Sequence, residues 1–244
     1  MKVWLLLVGD LKELISIKNR DRKGEVEFYG KRSVKDLIES FGVPHTEVKK
    51  IIVNQKEKDF SYILEHGDKV DVYPFGEDNR LDVLLKDPAF ICDVHLWKLA
   101  RRMRLLGFDT YFEKEASVGK LVDIAEKSDK IVLTRSRELL TRKRIKNGLL
   151  IRSTDPEIQV LEVIKKFNLR NLSKPFTRCF LCNCILKKLN KEDIIDGRGR
   201  KKIPGKVFFW CEKYNICPNC GKIFWEGTHY NKLKIMVKRY LNLN

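Results

Sequence analysis

No stretch of this chain reaches the roughly 18 consecutive apolar residues that a membrane-spanning helix needs, which excludes a bilayer-crossing segment. The apolar run near the start, Val3 to Val8, is too short for a secretory leader, and acidic residues follow it at once. The expectation is therefore a cytoplasmic protein with no membrane partner. Carboxylates are scarce in the last third. Residues 169–244 hold 17 Lys and Arg against 5 Asp and Glu, a net charge of +12. Residues 1–77 balance at 14 and 14, and residues 78–168 carry 19 and 14. A general lysine bias would have spread evenly, so the concentrated excess points to a polyanionic partner, nucleic acid above all. Seven cysteines in a reducing compartment argue for metal or packing rather than disulfides.

The chain divides by pattern at two places. Residues 1–77 read as strand (Val3 to Val8), basic turn, strand (Glu25 to Tyr29), helix, and strands at Ile51 to Asn54 and Lys69 to Pro74. Ser33 with Asp36 three residues on predicts a capped helix start, and Gly42 followed by Pro44 closes that helix. This order resembles the ubiquitin-like β-grasp fold and the sulfur carriers of thiamin and molybdopterin synthesis. Those carriers need a free terminal Gly-Gly, whereas this segment runs on through Phe75-Gly76-Glu77, which argues against carrier chemistry. A docking module for a protein partner is the better expectation. Residues 78–87 are polar and read as a linker.

From Ala89 to residue 168 strands and helices alternate, which predicts a parallel sheet with helices on both sides. The first strand ends on a carboxylate, Asp93. A helix follows with Leu96, Leu99, Ala100, Met103 and Leu106 on one face, and Lys98, Arg101, Arg102 and Arg104 around the others. Gly107 stands where a helix-ending C′ glycine would. Asp155-Pro156 predicts the start of a last helix, with aspartate as N-cap and proline at N1. A carboxylate at the carboxyl end of a buried strand is where open α/β sheets place their chemistry, although a solvated N-cap aspartate would look the same in sequence.

In residues 169–244, Cys179-Phe180-Leu181-Cys182 and Cys217-Pro218-Asn219-Cys220 form two C-x-x-C units separated by 34 residues. Two such knuckles complete a four-thiolate tetrahedral Zn²⁺ site with no open position, hence one structural zinc. Cys184, two residues past the first knuckle, could compete for the metal and Cys211 also blurs the ligand set, with a buried thiol the preferred reading for both; Cys92 reads as a packing thiol. This segment is expected not to fold without its metal, and residues 1–168 to stay folded when it is lost. Between the knuckles lies a basic loop with Arg198, Arg200, Lys201 and Lys202, and beyond them Trp225 and His229 precede a lysine-rich helix. Basic side chains interleaved with aromatics grip single strands, by phosphate pairing and base stacking. The aromatics could equally be the small core of the zinc module.

Three groups of residues carry a family resemblance. They are Ser33 to Glu39 with Val43 to Val48; Asp93, Leu99-Ala100-Arg101, Leu105 to Thr110 and Leu133-Thr134-Arg135 with Arg137-Glu138-Leu139; and Pro175 to Cys179 with Cys217-Pro218, Cys220-Gly221-Lys222, Trp225, Gly227 and His229. In this order they resemble the family named for the C-terminal ribonuclease domain of the Mut-seven exonuclease, in the form with an N-terminal ubiquitin-like domain. The resemblance implies a β-grasp domain over 1–77, a PIN-like α/β nuclease domain over 88–168 and a basic zinc ribbon over 169–244. It also implies acidic residues holding Mg²⁺ or Mn²⁺ for RNA cleavage. Asp93 carries over as metal ligand. The family's Thr-Arg-Asp, however, is Thr134-Arg135-Ser136 here, and the helix expected to open on acidic residues starts Ala116-Ser117-Val118-Gly119-Lys120. Val94, His95 and Trp97 replace small residues after the first aspartate. Glu138 and Asp109 stand as substitute carboxylates, and Arg101, Arg104, Arg135 and Arg137 as RNA contacts. The readings left open are a metal-dependent ribonuclease, a catalytically weakened RNA-binding relative, and a protein adaptor built on the β-grasp domain.

Overall fold

The computed structural model describes residues 1–15, 19, 24–75, 87–195 and 203–242, apart from the side chains of Asp193 and Ile195. Residues 78–86 of the expected linker, and the basic loop residues Arg198, Arg200, Lys201 and Lys202, lie outside the described residues.

The first sheet is built from β1 (Lys2–Leu7), β2 (Glu25–Glu27), β3 (Val48–Val53), β4 (Lys56–Lys58) and β5 (Lys69–Pro74), in the order β2-β1-β5-β3-β4. β1 and β5 run parallel and the other neighbours antiparallel, with helix α1 (Val34–Ser40) on one face. The arrangement is that of a β-grasp. Strict alternation along β1 turns Val3, Leu5 and Leu7 inward and leaves Lys2, Trp4 and Leu6 outside. α1 starts as its sequence demands: the Ser33 hydroxyl oxygen accepts from the Asp36 amide at 3.1 Å.

The second sheet, β7-β6-β8-β9, is parallel throughout and uses β6 (Phe90–Cys92), β7 (Thr110–Tyr111), β8 (Ile131–Thr134) and β9 (Gly148–Leu150). Its strands are apolar on both faces because both are covered. Phe90, Cys92, Ile131, Leu133 and Leu149 face helices α2 (Trp97–Leu105), α5 (Pro156–Lys166) and α8 (Thr228–Leu241). Ile91, Val132 and Leu150 face α3 (Val118–Ser128) and α4 (Arg137–Leu140), in a core continuous with that of the β-grasp sheet. Across that junction the Glu47 carboxylate accepts the Leu150 amide at 2.8 Å, and His45 contacts the Ile145 carbonyl at 3.0 Å.

The third sheet is an antiparallel ribbon of β10 (Lys187–Leu189), β11 (Tyr214–Ile216) and β12 (Ile223–Trp225), flanked by α6 (Lys191–Ile195) and α7 (Gly205–Trp210). Its own buried core is Ile194, Ile203, Cys211, Tyr214 and Ile223. That is too little to hold a fold of this length unaided. The chain then leaves the ribbon and returns: α8 buries Val237, Tyr240 and Leu241 in the second core, against α5. The second core thus draws on both sides of residue 168.

Candidate metal centre and nucleic-acid interface

The two knuckles are closed by their own backbones. In the first, the Cys179 amide donates to the Cys184 carbonyl at 2.8 Å and the Asn183 amide to the Cys179 carbonyl at 2.9 Å. The second repeats this with Cys217 to Lys222 and Gly221 to Cys217, both at 2.9 Å. Asn183 and Gly221, at φ of 70° and 66°, make the left-handed bends. The result brings the Sγ atoms of Cys179, Cys182, Cys217 and Cys220 within 4.8 Å of one another. Zinc–sulfur bonds of about 2.3 Å in a tetrahedron put sulfurs ~3.8 Å apart. The Cys179–Cys220 and Cys182–Cys217 separations are 3.8 and 3.3 Å. The donor set fits Zn²⁺. Burial pushes the Cys179 thiol up to about 12, whereas at Cys182 burial is outweighed by the Cys184 amide and the Cys217 and Asn219 side chains, which bring it down to about 6. Cys184 stands outside the cluster, Cys211 is a buried thiol of the ribbon core, and Cys92 lies within the second sheet with its thiol pushed up by burial.

The first knuckle is seated on the end of α2 and the edge strand β7. Arg104, only 4% exposed, donates from Nε to the Thr110 carbonyl at 2.9 Å and from Nη1 to the Leu181 carbonyl at 2.6 Å. The Asn183 side chain accepts the Thr110 amide at 3.0 Å and donates to Asp109 at 2.7 Å, and Lys130 pairs with the same carboxylate at 3.0 Å. Arg104 therefore tethers the knuckle to the sheet, with its guanidinium buried and bonded within the protein. Its length lets a helix-borne guanidinium reach one carbonyl on β7 and one on the first knuckle, so a single side chain links the two. Asp109 is likewise structural. It precedes β7, at the amino edge of a parallel sheet, while Asp93 follows β6 at the carboxyl edge, so the two carboxylates cannot share an ion.

Burial raises the Asp109 carboxyl, but the Asn183 amide and Lys130 more than offset this and hold it below its ordinary 3.8. A depressed folded-state value contributes stability that is present above the unfolded value and lost as pH falls through the folded one. The melting-temperature gap between wild type and Asp109→Asn should therefore be constant near neutrality and close as pH drops below 3.8. A gap that persists at low pH would separate this seam from the Asp109 charge.

At the carboxyl edge, Asp93 is 5% exposed and its oxygens are already engaged. The Thr134 hydroxyl and the Arg135 amide (3.2 Å) donate to Oδ2, and the His95 amide (2.9 Å) to Oδ1. Glu138 points to solvent and pairs with Arg142 at 2.8 Å. Ser136 and Ser117 cap α4 and α3, accepting from the Leu139 and Lys120 amides at 3.3 and 3.2 Å. Both serines keep the cap that an aspartate would have made and drop its charge.

Two family models match the chain: the Mut7-C RNAse domain over residues 88–237 and the Mut7-C ubiquitin domain over residues 1–80. The chain belongs to the Mut7-C RNAse domain family. The match to the ribonuclease model extends from the parallel sheet into α8, as the second core does. No curated protein and no solved structure gave a significant match.

Family membership implies a hard divalent ion at the sheet edge, and the residues do not fit one. Among the described residues the four cysteines are the only set of three or more Cys, His, Asp and Glu whose ligand atoms converge. A site for Mg²⁺ or Mn²⁺ wants several oxygen ligands, and Asp93 alone offers oxygens that the protein has already bonded. Neither Glu138 nor Asp109 supplies what Ser136 lacks.

Arg135, whose amide meets Asp93, and Arg137 at the start of α4 are both exposed. Arg101 is exposed on α2, its guanidinium 5.7 Å from the Trp97 ring and 5.1 Å from the Phe180 ring, so it joins the start of α2 to the first knuckle. Trp225 and the exposed His229 line a groove of about 790 Å³ beside the ribbon. Sequence left the aromatics divided between core and surface, and the structure divides them residue by residue. Phe208 and Trp225 pack on the ribbon core, whereas Phe209 and Trp210 remain 80% and 56% exposed. Trp210 gave no separate signal in sequence, because it lies in an apolar run with no polar residue to mark its outward face.

Proposed function

We propose that this protein is an RNA-binding member of the Mut7-C RNAse family. In this reading it grips RNA with the basic ribbon and α8, and carries the strand along α2 toward the sheet edge at Asp93. The observation that carries the reading is the strip of exposed cations and aromatics that runs from the groove through Phe180, Arg101 and Trp97. Lys222, Lys232, Lys234 and Arg239 add exposed positive charge on the same module. Arg135 and Arg137 are the phosphate contacts expected at the sheet edge. The β-grasp sheet, with Trp4 and Leu6 on its open face, is the module left for a protein partner. Asp93 in this reading holds the β6 and β8 loops together, and no cleavage step is assigned to it.

The test is binding of mixed-sequence RNA over a salt series, with and without a Mg²⁺ chelator. Four or five phosphate contacts predict a log–log slope of about −3, and chelation should leave affinity unchanged. Asp93→Asn places an amide where three donors point. It should cost about 1–3 kcal/mol of stability, measured by urea unfolding, and leave RNA affinity within error of wild type. Mn²⁺-dependent RNA turnover by wild type that disappears in a folded Asp93→Asn protein would replace this reading with a hydrolytic one.

A further inference from the structure

The groove has features that an apolar core defect or a general basic surface would not share. Its walls come from Leu105 at the end of α2, the stretch 175–178 that leads into the first knuckle, the knuckle itself, α7, β12 and the start of α8, so it lies where the ribbon meets the parallel-sheet body. Its aromatic lining is Phe176, Phe180, Trp210, Phe224, Trp225 and Tyr230. Four of these rings are fixed against one another, Phe176 with Tyr230 at 4.6 Å and Phe180 with Phe224 at 5.1 Å between centroids. Gly227 forms part of the floor. A Cβ there would meet Trp225 at 3.0 Å and Trp210 at 3.7 Å, so the glycine lets the two indoles close around one space. Arg178, Lys222 and His229 supply basic groups at the lining, against the single carboxylate of Glu226.

We infer that this groove seats unpaired nucleobases of a single RNA strand, with Trp210 as the stacking face. The inference rests on the RNA-binding reading above and adds to it the class of RNA that is taken. Three arguments converge. A largely buried ring such as Trp225 shapes a wall, whereas a tryptophan more than half exposed at the rim, like Trp210, has a free face to offer a base. The volume lies in the range of sites that enclose a small organic group, and is reached across a surface of net positive charge. Phe180 belongs both to the groove and to the contact with Arg101, so a strand with a base in the groove has its next phosphates beside the α2 cations. A duplex keeps its bases stacked and paired, presents phosphates, 2′-hydroxyls and base edges but no free base face, and cannot use the groove.

The experiment measures binding of the full chain, zinc-loaded, to a single-stranded oligonucleotide and to a duplex of the same length at one salt concentration. Trp210→Ala and Trp210→Phe are the variants, because this exposed side chain lies outside the buried core. Wild type should prefer the single strand. Trp210→Ala should lose about 5- to 150-fold on the single strand, the range for one stacked base. It should lose nothing on the duplex, and Trp210→Phe should restore most of the loss. Equal affinity for both RNAs, unchanged by Trp210→Ala, would overturn the groove assignment while leaving RNA binding in place. Failure to bind either RNA would overturn both readings. Displacement of the strand from wild type only by an acidic, aromatic peptide that itself needs Trp210 would reassign the groove to a protein.

Discussion

Gly107→Ala should destabilise the protein by about 3–5 kcal/mol, among the largest single-residue effects available to it. Gly107 sits just past α2 with φ at 95°, a conformation that costs any side chain. Here the backbone penalty is the smaller part. A Cβ at this position would lie 2.2 Å from the Lys174 carbonyl oxygen and 2.7 Å from its carbon, and backbone cannot swing aside as a side-chain end can. The stretch that would have to move is sewn to the end of α2. The Lys174 amide donates to the Leu106 carbonyl at 3.0 Å, the Phe176 amide to Leu105 at 2.9 Å, and the Ser173 hydroxyl to Leu106 at 2.8 Å. Urea unfolding of the variant gives the number. A loss of no more than about 1–2 kcal/mol, the backbone penalty alone, would mean that residues 173–176 are not seated on α2 as described.

Loss of zinc should have the widest effect. Cys217→Ser should take the metal content from about one zinc per chain to none. Structural zinc in small modules is worth on the order of 10 kcal/mol at neutral pH, and a ribbon core with five buried hydrophobic residues among those described is small against that. Sequence reading confines the damage to residues 169–244. The contacts do not, because the metal-free ribbon would release the first knuckle from the parallel sheet. Thr110 would lose Asn183 as acceptor for its amide, and Arg104 would lose the Leu181 carbonyl. α8 would no longer be held at its start. At its far end Tyr240 donates to Glu157 at 2.6 Å and accepts from Arg102 at 2.9 Å, sealing Val237 and Leu241 against α5. Hydrogen exchange should show faster exchange at Thr110 and in α2 and α5, while the β3 and β5 amides of the β-grasp sheet keep their protection. Unchanged exchange at Thr110 in a zinc-free protein would show that the knuckle and the parallel sheet are energetically separate.

Much of this architecture was legible because local and global signals agreed. Ser33 with Asp36, Asp155 with Pro156, and Gly107 each mark a helix end by chemistry that needs no tertiary partner. The β6 and β8 runs read as buried because both faces are apolar. What escaped notice was set elsewhere. β3 turns into β4 through Asn54 and Gln55, both at positive φ, and without the glycine that announces such a hairpin. The ribbon strands are three residues each and follow the metal and one another rather than any period. Arg104 looked like a surface cation because its helical position says nothing of a knuckle that arrives from residue 181. Lost carboxylates were visible at Ser136 and in the opening of α3. That Ser136 and Ser117 still serve as helix caps was not, since a cap is judged by the amide it meets.

The return of α8 also bears on how the chain is made. A ribosome releases the strands around Asp93 long before residues 237–241, yet Phe90, Leu133 and Phe167 share a core with Val237, Tyr240 and Leu241. The nascent parallel sheet, already covered by α2 and α5, therefore waits only for the last helix of that layer, while the β-grasp sheet, complete by residue 74, has already closed. Synthesis from amino to carboxyl end thus supplies a finished neighbour on one side of the sheet, which covers Ile91 and Val132 first. On the opposite side the layer of α2 and α5 is completed last, by a helix made only after all four cysteines of the cluster.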